Sequence, residues 1–181
     1  MSVLVDSNSL DVTAYSILGD AAFKIGQSFT NNQPDCNISS CKFYLFKEGT
    51  IEGNVEALLY NHDGTYGESS VPTGSVLATS ESVSVSNIPS LPALIEFNFT
   101  ETVNLISGGK YVIALDYSGS DMNNYIAMGR ALGHSGNGCF YQSLFGWDYN
   151  NTDYIFYIYG NLISPTISNI SSIYNISSIH I

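Results

Sequence analysis

Basic residues are nearly missing from this chain. Only Lys24, Lys42, Lys47, Lys110 and Arg130 are basic, against 16 acidic residues in 181, which leaves a formal net charge of −11. A surface of that sign repels phosphate backbones, so nucleic acid is not an expected partner. Long apolar runs are missing too: no stretch approaches the roughly 20 residues of a membrane span, and no membrane insertion is expected. The opening MSVLVDSNSLDVTAYSILGDAAFKIG lacks the basic, apolar and small-residue regions of a secretory signal. The expectation is a product made in a cytoplasm. On that footing the N-x-S/T sequons at Asn37, Asn98, Asn150, Asn169 and Asn175 read as chance in an Asn- and Ser-rich chain.

Cysteine is scarce and odd in number. Cys36 and Cys41 bracket the turn-like CNISSC, a spacing open to a bridge as well as to reduced thiols, and Cys139 has no evident partner. Without His or Cys at ligand spacing, no zinc site is expected. Helical periodicity is also absent, apart from a weak trace around residues 9 to 18.

What is present is the vocabulary of strands and turns: 13 Tyr and 9 Phe among many Ser, Asn, Gly and Thr. In CKFYLFK, Cys41, Phe43 and Leu45 alternate with Lys42, Tyr44 and Phe46. In LIEFNFT, Ile95, Phe97 and Phe99 alternate with Glu96, Asn98 and Thr100. KYVIALDY places Tyr111, Ile113, Leu115 and Tyr117 on one side, and YIFYIYG ends the regular pattern at Gly160. Turn signals separate these runs, among them KEGTIEGN, NHDGTYGESSVPTGS and GHSGNG. Short strands with no interleaved helices indicate an all-β fold, an antiparallel β-sandwich or jelly roll. The expected organisation is an N-terminal segment (1–26), a sandwich domain (27–160) and an Ile/Ser/Asn-rich tail (161–181).

Four groups of residues carry chemistry worth weighing. His62-Asp63-Gly64 opens the connection between two strands, and with Pro72-Thr73-Gly74 it reads as turn chemistry rather than a site. In GHSGNG, His134 and Ser135 lack the glycine that a nucleophile elbow needs two residues after the serine, where Asn137 stands. Asp116, Asp121, Asp148 and Asp153 are the acids to inspect for glycosidase chemistry, but no paired constellation is legible and no enzyme is expected. No cofactor is required. Calcium is the one candidate ligand: DYSGSDMNN groups Asp116, Asp121, Asn123 and Asn124, with Asp63 a weaker addition, although EF-hand spacing is absent and an Asx-rich turn explains the same residues.

The aromatic segment CFYQSLFGWDYNNTDY makes Tyr141, Trp147, Asp148 and Tyr149 candidates for glycan contact, set against burial of the lone Trp147 as a cap on the sandwich. In the tail, Ile167, Ile170, Ile173, Ile176 and Ile179 recur every third residue. A helix turning about 100° per residue cannot hold that period on one stripe, and a flat strand sends the side chains to both faces. The tail is therefore the candidate oligomerisation arm, with a trimer as the first guess.

The succession QSFT, CKFYLFKEGTIEGNVEALLYNHDGTYGESSVPTGSVLATSESVSV, LIEFNFTETVNLISGGKYVIALDYSG and FYIYG resembles a family of β-sandwich domains that recur in tailed-phage virion proteins and bacterial surface proteins. The resemblance spans roughly residues 27 to 160, and its motifs are structural. EGTIEGN stands where the family usually has a proline in the first turn, and the tail lies beyond it. The resemblance implies a module for display, assembly or carbohydrate contact. The expected function is a non-enzymatic virion structural or display protein, a decoration or fibre component made in a host cytoplasm, with itself and other virion proteins as partners. The alternative is a carbohydrate-binding module on an extracellular or cell-surface glycan.

Overall fold

The computed structural model describes residues 1–8, 11–19, 22–121 and 123–163. The strands in chain order are β1 (Ser2–Ser7), β2 (Ala14–Leu18), β3 (Lys24–Thr30), β4 (Cys36–Glu48), β5 (Asn54–Asp63), β6 (Val71–Thr79), β7 (Val83–Ser84), β8 (Ala93–Asn98), β9 (Asn104–Leu105), β10 (Lys110–Asp116), β11 (Tyr125–Ala131), β12 (Gly138–Gln142), β13 (Gly146–Asn150), β14 (Asp153–Tyr154) and β15 (Phe156–Leu162). A single 3-10 turn, Val85–Asn87, is the only helical element among the described residues.

Two antiparallel sheets result, as the alternating pattern requires. The first runs β1-β15-β4-β11-β14, with β2 on β11 and β8 and β9 on β4; the second runs β13-β12-β3-β10-β5-β6, with β7 on β5. The main core lies between them. It takes Phe43 and Leu45 from β4, Phe97 from β8, Phe156 and Ile158 from β15, Phe29 from β3, Leu59 from β5, and Tyr111, Ile113 and Leu115 from β10. These are the faces that the alternation assigns to the interior. The fold is thus an all-β antiparallel sandwich.

Strand β4 needs a correction of parity to do this. Ser40 pairs with Tyr159 and Ile38 with Gly160, so Ser39 is an extra residue in the ladder. Without that bulge, the face carrying Cys36 and Ile38 would point away from the one carrying Cys41, Phe43 and Leu45. CNISSC is accordingly strand and not turn. Its two cysteines are buried and free, and five residues of strand hold them about 16 Å apart, far beyond disulfide reach.

Three further assignments differ from the sequence pattern. The segment before residue 27 contributes β1 and β2 to the first sheet, and the weak helical trace ends in β2, paired with β11. His62 and Asp63 continue β5, so the loop proper is 64–70, with Gly64 and Gly67 at φ of 83° and 81°. Pro72-Thr73-Gly74 lies inside β6, where Pro72 pairs with His62. Proline is tolerated there because β6 is an edge strand. The ladder then shifts register between Thr73 and Ala78, with Gly74 at φ 70° opening the bulge.

The second sheet also curls. Tyr60 and Leu58 of β5, Val112 and Ala114 of β10 and Cys139 of β12 form a small second core on its far face, packed by Val71 and Trp147. Strand β13 comes round toward β6 to close it. The cap role of Trp147 follows from that curl.

Candidate functional site

The sequence candidates fall in separate places. On the β12–β13 hairpin, Tyr141 pairs with Trp147 and Cys139 with Tyr149. Tyr141, Trp147 and Tyr149 therefore share one face, and Asp148 projects from the other. The Trp147 ring is held edge to face by Tyr141 at 5.4 Å and Tyr60 at 5.6 Å, which commits it to the second core. Tyr149 stays 48% exposed, and the hairpin turn carries Leu144 and Phe145 almost fully in solvent.

The calcium candidates have other partners. Asp116 closes β10 in an ion pair with Lys24. Asp121 Oδ1 accepts from the backbone N–H groups of Asn123 and Asn124 at 2.7 and 2.9 Å. The Asn124 side chain donates to both Asp121 oxygens, and these bonds hold the exposed Asp121 carboxyl below the usual range. Asn124 Oδ1 is itself occupied by Thr50 N–H at 2.8 Å. Asp63 Oδ1 accepts from Gly64 N–H, again a turn contact. The five tail isoleucines lie outside the described residues.

The two histidine motifs, 72 residues apart in sequence, meet at one end of the sandwich. The 64–70 loop lies on the turn from Gly133 to Asn137: Ser70 N–H donates to Asn137 Oδ1 at 3.1 Å, and a Cβ on Gly67 would fall 2.4 Å from Ser135 O. His62 Nε2 stands 2.9 Å from Ser70 Oγ, the spacing of a base and a nucleophile. However, Ser70 is fully buried and its Oγ also accepts from Gly67 N–H. Burial first, then the Lys110 charge, lowers the affinity of His62 for a proton.

Behind this pair lies a buried polar cluster that the sequence did not announce. His134 Nε2 is 3.3 Å from Asp6 Oδ2, which also accepts from Thr30 N–H at 2.9 Å. His134 Nδ1 accepts from Gly136 N–H, and the His134 ring packs edge-on against Phe156. Asp153 Oδ2 accepts from the N–H groups of Gly133 and His134, and burial raises its pKa. Gln27 Oε1 accepts from Tyr154 N–H at 2.8 Å. Each group that resembles catalytic machinery thus ties loops and strands together. The buried Tyr66 hydroxyl makes no well-formed hydrogen bond, although Thr30 and Ser135 stand beside it, and burial raises its pKa.

An uncovered apolar field lies on the outer face of the first sheet. Alternation turns Tyr44 and Phe46 of β4, Tyr157 and Tyr159 of β15, Tyr15 and Ile17 of β2, Leu94 of β8 and Leu4 of β1 away from the core. The register joins them: Leu94 pairs with Tyr44, Tyr157 with Lys42, and Tyr159 with Leu4. Tyr15 meets Phe46 edge to face at 5.0 Å. Tyr44 lies over Gly129, where a Cβ would come within 2.9 Å of its ring. Ile17 and Leu4 are 49% and 43% exposed. The one ion pair in this field joins Lys42 to Glu96 at 3.6 Å. Two of these eight residues, Tyr44 and Phe46, were written in CKFYLFK; the missed signal was the matching alternation of Tyr157 and Tyr159 in YIFYIYG.

No family model matches the chain, and neither a curated protein nor a solved structure shows significant similarity to it.

Proposed function

We propose that this chain is a non-enzymatic structural or display module that self-associates, with other virion proteins as its further partners. The observation that carries self-association is the aromatic outer face of the first sheet, which has no covering layer among the described residues. Contiguous apolar surface of that kind marks contact sites on soluble proteins. The virion setting, as a decoration or fibre component, rests on the resemblance of residues 27–160 to sandwich domains of tailed phages. A non-enzymatic role is supported by the engagement of His62, Ser70, His134, Asp6 and Asp153 in bonds that hold the fold.

A glycan-binding role is the second reading, favoured by the shared face of Tyr141, Trp147 and Tyr149 beside the exposed hairpin turn. Light scattering on the full chain, run beside a glycan array, separates the two. Mass above that of one chain with a blank array supports assembly. A monomer that selects one glycan and loses it on Tyr149→Ala supports the second reading and removes the first.

A further inference from the structure

We infer that the outer face of the first sheet receives the C-terminal segment of a second copy of this chain, with Ile173, Ile176 and Ile179 laid over it. The inference rests on the self-association reading and names the two surfaces that meet.

Three observations point to that occupant. The first is a match of lengths. Tyr159 pairs with Leu4 and with Ser40, while Ile17 pairs with Ala127 and Ala127 with Phe46. The apolar stretch therefore runs along β4 from the level of Ser40 to that of Phe46, about 20 Å at about 3.3 Å per residue. Across the tail, isoleucine recurs at every third residue. An extended chain of three residues per turn rises about 3.1 Å per residue and sets such residues on one line, about 9 Å apart. On that line Ile173, Ile176 and Ile179 cover roughly 19 Å.

The second is where the segment starts and how far it reaches. Strand β15 leaves the sheet beside the N-terminus, where Leu162 N–H donates to Met1 O and Ile163 N–H to Asp35 O. From there, residues 164–172 reach at most about 30 Å before Ile173. The chain's own face begins at Tyr159, four residues before Ile163, so a return to it would need only a short turn. The length in hand fits a crossing to a neighbour.

The third is charge. The chain carries −11, yet every acidic residue lies at or before Asp153, and residues 154–181 hold no Asp, Glu, Lys or Arg. Two sandwich bodies repel each other. The crossing lets them stand farther apart than the Debye length of about 8 Å, while an uncharged segment makes the contact. On the receiving face, Lys42 is offset by Glu96. Arm and face are different surfaces, so the contact closes as a reciprocal exchange or as a ring.

The test pairs two full-chain variants, one with a damaged face and one with a damaged arm. Ile17→Arg alters the exposed face, and Ile173→Asp with Ile176→Asp alters the arm. Each alone should lose association by roughly tenfold or more, as the loss of a buried isoleucine does, and keep the β circular-dichroism spectrum. Should Ile17→Arg fold poorly, Leu4→Arg reads the same face. Mixed in equal amounts, the two variants should form a species with one chain of each, seen by native mass spectrometry, because an intact arm then meets an intact face. A mixture that stays monomeric overturns the exchange and leaves the arm, if anywhere, on its own chain. An arm variant that assembles as the wild type does also overturns it, while self-association through another surface stands. A wild type that is monomeric throughout removes both the exchange and the self-association reading.

Discussion

His134 Nε2 lies 3.3 Å from Asp6 Oδ2, across 128 residues of chain. The contact pins the N-terminal strand to the 133–137 turn inside a nearly closed pocket. Replacing His134 by Ala leaves a buried carboxylate short of a partner and opens space beside Phe156. The expected loss is about 2 to 3 kcal/mol in chemical denaturation. Ser135→Ala, next in sequence but exposed, should change stability by about 0.5 kcal/mol or less. Equal losses at the two positions would contradict a structural role specific to His134.

His62 makes a pH prediction. Its folded pKa is lowered, first by burial and then by Lys110, from the ordinary 6.5. The unfolded chain therefore binds the proton more readily, and stability rises with pH through this range. The contribution is complete above about 6.5 and is lost as pH falls through the lowered value. Melting temperature should drop between pH 7 and 5, and His62→Gln should flatten part of that drop. A variant whose melting curve tracks the wild type at every pH removes His62 as the source.

The sequence made the sandwich legible because its signal is local. Cys41, Phe43 and Leu45 alternate with Lys42, Tyr44 and Phe46, and the core takes the first set. It hid what depends on pairing. Ser39 gives no local sign of a bulge; only the pairing of its neighbours Ser40 and Ile38 with β15 reveals one. Asp6, His134 and Asp153 form a cluster through strand order, which no spacing encodes. Likewise, Trp147 could be weighed as a cap, but its site on Tyr60 follows from the curl of the second sheet.

Thiol chemistry checks the buried cysteines. Burial raises the pKa of Cys36, Cys41 and Cys139 alike, which suppresses the reactive thiolate. An aromatic disulfide reagent should count three thiols after denaturation and none in the native protein over minutes. Two thiols missing from the denatured count under non-reducing conditions, and mapped to Cys36 and Cys41 in one linked peptide, would demonstrate the bridge that strand geometry forbids.

For the oxygen-rich loop, the expected response to calcium is none. Asp121 is spent on Asn123 and Asn124, and Asp116 on Lys24. Neither chelator nor millimolar calcium should move the melting temperature. A rise of several degrees with calcium, reversed by chelator, would show that Asp116 to Asn124 rearranges into a binding loop.

Self-association is tested most directly by sedimentation velocity on the full chain across a range of concentrations. A species heavier than one chain is expected, and Ile17→Arg, at an exposed position on the outer face of the first sheet, should shift it toward the mass of one chain while the β circular-dichroism spectrum stays unchanged. A mass of one chain at every concentration would contradict self-association.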